Sequence, residues 1–330
     1  MRYLIFVLIL LVSCHADQRK QDSFVIAFGS CNKQYKKQPL WDVILQNSPN
    51  LWVWLGDVIY ADTEDMSIMQ QKYQQQRDKK KYQKFRSKVP IIGTWDDHDY
   101  GVNNGGKEYP AKVGSQKLFL DFLDEPQSSK RRTQQGIYWA YTYDVSPKLK
   151  VKVLVLDTRY HREMPGRNTD ILGESQWQWL QDELQNSKAH IHIICSSIQV
   201  LSRKHRYEKW ANFPQARKRL LDLLQTCNSV LLLSGDRHFS EISCLKRQDL
   251  PPIFEVTSSG MTHNASIPLT VLRKENSEYR VSDCFNKKNF GVITIDESNE
   301  SLSLEIHDKN NRSVLQQNVS FSSLGVHYAK

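Results

Sequence analysis

The side chains able to do chemistry in this chain fall in four short polar strings. They are Phe28-Gly29-Ser30-Cys31, Gly56-Asp57-Val58-Ile59-Tyr60, Trp95-Asp96-Asp97-His98-Asp99 and Gly235-Asp236-Arg237-His238. Together they offer a thiol, carboxylates, a phenol and imidazoles. Such a mixture of sulfur, oxygen and nitrogen donors suits a multi-metal hydrolytic site. Asp57 can bridge two ions, one on each oxygen. The Tyr60 phenol, ordinarily titrating at about 10, coordinates best to a strongly acidic ion such as Fe3+. Cys31 adds a soft thiolate. Asp97 can ligate, and His98 can protonate a leaving oxygen. Asp236 and His238 are spaced to point to one side of an extended segment. Each residue alone has an ordinary explanation: a helix cap, a packing tyrosine, an inert buried thiol. Donors at all four strand ends are much harder to explain in that way.

The elements that must position these strings are legible just upstream of each. FVIAF, LWVWL, VPIIGTW and SVLLLS precede the four strings, and VKVLVL and IHIICSS lie elsewhere. Short apolar runs of this kind read as buried strands. Ligands of open α/β sheets bind beyond the carboxyl ends of the strands, so the strings should converge on one rim. Strands are expected over 22–28, 51–55, 89–95, 136–143, 151–156, 190–197 and 229–234. Helices are expected over 40–47, 66–88, 114–123, 175–185 and 214–224. A Gly/Asn-rich loop at 101–106 can bring backbone amides close to a ligand. After Pro251 the chain turns β-like, with 290–295 and 301–306 alternating as a hairpin. The order predicts two packed sheets with helices on the outer faces.

Composition narrows the class. The 330 residues favour one large catalytic domain, and 25% charged with 10% aromatic residues argues against general disorder. The net charge of +9 is dispersed, and its densest stretch, RDKKKYQKFRSK at 77–88, reads as a solvated helix face punctuated by Tyr73, Tyr82 and Phe85. No nucleic-acid module signature appears, so no sequence-specific nucleic-acid partner is expected. The six cysteines are Cys14, Cys31, Cys195, Cys227, Cys244 and Cys284. Their spacing is irregular and leaves any disulfide pairing open, but Cys195 sits inside an apolar run as a buried free thiol would. Residues 1–16 form a targeting segment: Arg2 followed by an apolar stretch far short of the roughly 20 residues that span a bilayer. Two readings compete there. Leu11-Val12-Ser13-Cys14 fits a bacterial lipobox with a lipid anchor on Cys14, and Ala16 is an adequate signal-peptidase site that would start the mature chain at Asp17. Both place residues 17–330 outside the cytoplasm, and the lipobox is the more complete match.

The ordered strings GSCN, WLGDVIYAD, IIGTWDDHDYG, LDTRYHRE and SGDRHFSE resemble the PhoD-like (alkaline phosphatase D) branch of the calcineurin-like metallophosphoesterases. EKWANFP at 208–214 and FEVTSSGMTH at 254–263 are similar to the same branch. The resemblance implies a four-layered αββα sandwich of two mixed sheets flanked by helices. It implies a metal cluster held by Cys31, Asp57, Tyr60, Asp97, Asp236 and His238, with His98 as general acid. The superfamily's opening DxH is replaced by Gly29-Ser30-Cys31, its Asn position by Asp97 and the first His of its GHxH by Asp236. That oxygen-rich set favours Fe3+ with Ca2+ or another divalent ion over a zinc pair. Arg159, just after the strand ending at Asp157, is expected to clamp phosphoryl oxygens. The expected activity is hydrolysis of phosphate mono- or diesters, small or lipidic, by a metal-activated hydroxide. The competing reading is an extracellular protein that binds metal or a phosphate ligand without catalysis. A serine hydrolase is set aside because no G-x-S-x-G elbow occurs.

Overall fold

The computed structural model describes residues 23–328 apart from Thr226, Asn228, Asn276 and Ser277. Residues 1–16, expected to be a targeting segment with Cys14 and Ala16, lie outside the described residues. The apolar runs are strands: β1 (Ser23–Gly29), β2 (Leu51–Leu55), β3 (Ile91–Thr94), β4 (Trp139–Asp144), β5 (Lys150–Val155), β6 (Ile191–Cys195) and β7 (Val230–Ser234). The β-rich remainder supplies β8 (Ser240–Arg247), β9 (Leu250–Ser258), β10 (Asn289–Asp296), β11 (Ser301–Asp308) and β12 (Ser313–Ser320). Between them lie α1 (Trp41–Leu45), α2 (Met66–Arg77), α3 (Lys80–Arg86), α4 (Asp97–Tyr100), α5 (Lys112–Phe122), α6 (Glu174–Gln185), α7 (Pro214–Leu224) and α8 (Leu269–Leu272). One sheet runs β12-β11-β10-β1-β2-β3 and the other β4-β5-β6-β7-β9-β8. Both are mixed. β1, β2 and β3 are parallel neighbours, as are β5, β6, β7 and β9, while β10, β11, β12, β4 and β8 pair antiparallel at the flanks.

The period of two along each strand builds the layers. On β2, Leu51, Val53 and Leu55 point into a core shared with Val151, Val153, Ile191, Ile193, Leu231 and Leu233 of the second sheet. Trp52 and Trp54 point the other way, into a cluster with Trp41, Tyr82 and Phe85 from the helices. Leu154, Ile194, Val230 and Leu232 do the same on the far side, against Trp177, Leu180 and Leu220 of α6 and α7. The result is helix, sheet, sheet, helix. Cys195 packs in the intersheet core as a free thiol, and Cys31, Cys227, Cys244 and Cys284 are also unbridged.

The stretch 66–88, expected as one helix, is two. Asp65 caps α2 by accepting from the Ser67 amide at 2.8 Å, and the chain extends at Lys79 before α3 begins. The break is forced by the aromatics. At about 100° per residue, Tyr82 stands half a turn away from Tyr73 on a continuous helix. Breaking at Lys79 lets Tyr73, Tyr82 and Phe85 all be buried. The basic residues of the stretch face outward, where Lys81 and Lys84 pair with Asp42. β8 precedes Pro251 and has no apolar run to announce it, whereas β12 falls within the β-like stretch that follows. Among the described residues, no helix is long and apolar enough to cross a membrane.

Candidate metal centre

The parallel strands of both sheets deliver the polar strings to one rim. Cys31 follows β1, Asp57 follows β2, Asp96 to Asp99 follow β3, Arg159 follows β5, Asp236 to His238 follow β7 and His263 follows β9. The turns that present them are strained. Cys31 (φ 60), Asp57 (φ 51), Asp236 (φ 66) and His238 (φ 57) all sit in the left-handed region. Non-glycine residues there cost about 1–3 kcal/mol each and collect at functional sites. The strain follows from close strand packing. A Cβ on Gly56 (φ 89) would lie 2.3 Å from Asp96 Cβ, and one on Gly235 would lie 2.5 Å from the Leu55 carbonyl oxygen. Glycine therefore lets two rims touch, and the next residue turns its side chain into the gap.

The donors form two overlapping groups that share Asp57. Cys31, Asp57 and His238 place one ligand atom each within 4.8 Å of one another, and so do Asp57, Asp97 and His98. The Cys31 thiol donates to Asp57 Oδ2 at 3.4 Å, and the Tyr60 hydroxyl donates to the same oxygen at 3.0 Å. Tyr60 Oη also lies 3.3 Å from His238 Nε2. Asp236 lines the same cavity, of about 820 Å³, but stands outside both groups.

This donor set fits a cation. Asp57 Oδ1 and Asp96 Oδ2 are buried with no hydrogen-bond partner, a costly state for a carboxylate oxygen. Burial, reinforced by Asp57 and Asp236, holds the Cys31 thiol well above its ordinary range. Burial and Asp57 do the same to Tyr60. Burial and Asp97 raise Asp57, and burial and Asp96 raise Asp236. Acidic groups are thus gathered without enough positive charge to ionise them, and a bound cation inverts that balance. His238 is held at about 4 by burial and by Lys33, which keeps its imidazole neutral as ligation requires.

Asp97 and His98 are organised separately. Asp97 accepts from the His98 amide at 2.8 Å and from the Asn104 amide, in the Gly/Asn loop, at 2.7 Å. Burial opposes its charge, but Arg159, His98 and these amides outweigh burial and lower its pKa. The ring of His98 lies over Tyr60, with centroids 4.1 Å apart, and its Nδ1 bonds Asp62 Oδ1 at 2.6 Å. Burial works against the imidazolium, but Asp62, Asp57 and Asp97 lift it to about 10. Arg159 is placed differently from expectation. It is fully buried, with Nε 2.7 Å from Asp96 Oδ1 and Nη2 2.6 Å from Glu208 Oε2, and it is not among the residues that line the cavity. Its donors hold the rim together. The cavity is instead lined by Arg162, Arg206 and Arg237, with Tyr207, Met164 and Ile267. Arg162 pairs with Glu208, and its Nε and Nη1 are buried without a partner.

Several residues that organise the site are not singled out by local sequence. Asp99 accepts from the amides of Asp96 (2.6 Å), Val58 (3.0 Å) and Asp57 (3.3 Å), fastening the β2 and β3 exits to each other. Its signal was the Asp96-to-Asp99 spacing of a capping box. Asp62, Arg162, Glu208 and His263 lay within the quoted strings without a role. His263 follows a strand as the other donors do, and that rule alone could have found it.

A family model described as PhoD-like phosphatase matches residues 26–306. The chain is 25% identical over 260 residues to alkaline phosphatase D of Bacillus subtilis (strain 168), covering 67% of this chain and 43% of that protein. Among solved structures, one described as the structure of PhoD aligns with a TM-score of 0.73 at 18% identity, over 90% of this chain and 72% of that one. A dimetal phosphatase from Danio rerio aligns at 0.52 and 12% identity, over 90% and 99%. GAP50, described as the anchor in the inner membrane complex of Plasmodium, aligns at 0.58 and 14% identity, over 90% and 89%. At these identities the structural likenesses establish the shared fold.

Proposed function

The chain belongs to the PhoD-like phosphatase family, and from that premise we propose that it is a metal-dependent phosphoesterase acting on phosphate mono- or diesters. The observation that carries the proposal is the cluster around Asp57, where thiol, phenol, carboxylate and imidazole converge on one strained rim with orphaned carboxylate oxygens. In this reading Cys31, Asp57, Tyr60 and His238 would hold one ion, Asp57 and Asp97 would hold another, and Asp236 would complete the site. The phenol and thiol favour Fe3+ at the first position, and the carboxylates favour Ca2+ or another divalent ion beside it. When bound, the metals neutralise phosphate oxygens and lower the pKa of a water.

The chain's own residues supply the rest. Asp62 fixes Nδ1 of His98, so Nε2 is the atom that gives a proton to the leaving oxygen. Arg159 acts as a positioning residue, keeping Asp96 and Glu208 in place, and Arg162 offers the cavity the guanidinium that the phosphoryl group needs. The cavity exceeds what one phosphate fills, and Met164, Tyr207 and Ile267 give the ester substituent an apolar wall. A small or lipidic phosphoester suits that lining. We place the enzyme outside the cytoplasm, anchored through Cys14 or freely secreted. The test is hydrolysis of bis(p-nitrophenyl) phosphate by the purified chain, with and without chelator, beside Asp57→Asn. Chelator and substitution should each bring turnover close to background, with metal content falling in parallel. Full activity and metal content in Asp57→Asn would overturn the assignment. A wild-type protein that binds phosphate compounds but hydrolyses no ester would make it a binding protein on an enzyme fold.

A further inference from the structure

His263 Nε2 lies 3.1 Å from Tyr60 Oη and 3.2 Å from His238 Nε2, and those two atoms are 3.3 Å apart. The three donor atoms form a nearly equilateral triangle. Adjacent ligand atoms on one ion, bonded at about 2.1 Å, stand about 3.0 Å apart in an octahedron and about 3.4 Å apart in a tetrahedron. The edges of the triangle fall in that interval. The two imidazole planes are inclined at 61°, so the rings meet at their edges and do not stack.

The protons point the same way. Thr262 Oγ1 donates to the Cys31 carbonyl at 3.2 Å and accepts from the Lys33 amide at 2.8 Å. Its one proton is therefore spent, and at its 3.2 Å contact with His263 Nδ1 it acts as acceptor. In the neutral imidazole that contact assigns the proton to Nδ1 and leaves the lone pair on Nε2. The Tyr60 hydroxyl donates to Asp57 Oδ2, so it offers that lone pair nothing. An oriented nitrogen lone pair thus faces a phenol oxygen with no hydrogen to share. A second oxygen fixing the remote nitrogen is the usual dress of a metal-binding histidine.

We propose that His263 is a direct ligand, through Nε2, of the same ion that Tyr60 and His238 bind. The inference rests on the metal-dependent reading above and adds a nitrogen to the donor set. Binding an ion would require the Tyr60 phenol and the Cys31 thiol to give up their protons to solvent, and His263 would bind as the neutral imidazole.

The experiment loads metal-free protein with ferric citrate and reads iron content and the visible phenolate-to-iron band, not turnover. Wild type should take up iron with a coloured band. His263→Ala should lose more affinity than the ~10–100-fold that loss of an outer-shell partner costs, and its band should shift. Thr262→Val, which frees the Nδ1 contact, should fall within that ~10–100-fold range. Free imidazole should restore the band to His263→Gly, which a merely structural role would not allow. Circular dichroism of each metal-free variant guards against misfolding. Wild-type iron affinity and an unshifted band in folded His263→Ala would overturn this inference and leave the phosphoesterase reading standing. Failure of wild type to bind iron or any other metal would overturn both.

Discussion

At the scale of single residues, the pairing of His98 with Asp62 is the most consequential. A histidine left to itself is half deprotonated at about 6.5 and makes a poor acid in alkaline solution. Burial here works against protonation, yet Asp62, Asp57 and Asp97 together lift His98 to about 10. The proton is thus available below that value and lost above it, and a bound cation nearby will bring the limit down. His98→Ala should cost ~10²–10⁴ in rate on alkyl esters and less on nitrophenyl esters, whose leaving groups need less protonation. Asp62→Asn removes the hydrogen-bonded carboxylate, so the alkaline limb of the kcat/KM profile should move to lower pH while metal content stays as in wild type. Equal losses on both ester types would instead give His98 a ligand or structural role.

At the scale of elements, the centre depends on how tightly β2 and β3 leave their sheet. Gly56 has φ 89 and no room for a Cβ, because Asp96 is already 2.3 Å from where one would stand. Asp99 ties both exits through three amides. Gly56→Ala should therefore combine left-handed strain with a steric displacement of Asp96. A destabilisation of about 1–3 kcal/mol is expected, with a larger proportional loss of metal binding, since Asp57 and Asp97 move apart. Chemical denaturation and metal titration check the two effects separately, and an alanine variant with wild-type stability would show that the contact is easily relieved. The α2–α3 break belongs to the same scale: three aromatics that no single helix could bury together decide where the helix stops.

At the scale of the whole molecule, buried unpaired groups make stability depend on pH. His205 is 5% exposed, and neither of its ring nitrogens has a partner. Burial first, then Arg237 and Lys209, lower its pKa from 6.5 to about 2. In the unfolded chain the same imidazole takes a proton below about 6.5. The unfolded state therefore binds more protons as the pH falls from there, and this residue's contribution to stability declines. His205→Leu removes that dependence. The Tm of the variant should gain on wild type as the pH is lowered from about 7.5 to about 5. A constant difference across that range would mean that His205 stays hydrated or already paired.

Much of this organisation is written in local sequence. Apolar runs of five to seven residues read as buried strands, and four of them lead directly into strings of glycine, carboxylate, cysteine or histidine at a sheet rim. That signal is short-ranged, so the strands, the two-sheet class and the string-by-string family likeness were legible in the sequence alone. What tertiary structure decided is who meets whom. Arg159 and Arg162 are three positions apart on one string, and nothing local says that the first is consumed by Asp96 and Glu208 while the second reaches the cavity. Asp96 leaves β3 of one sheet and Glu208 lies between β6 and α7 beside the other; Glu208 pairs with both arginines and Asp96 with Arg159, pairings that exist only once the sheets are packed. His263 likewise became a donor only when β9 was inserted beside β7, bringing its ring to His238 across 25 residues of chain. Strand-forming tendency and side-chain chemistry are properties of neighbouring residues. Convergence of lone pairs and pairing of buried charges depend on distances that exist only after the two sheets have closed on each other.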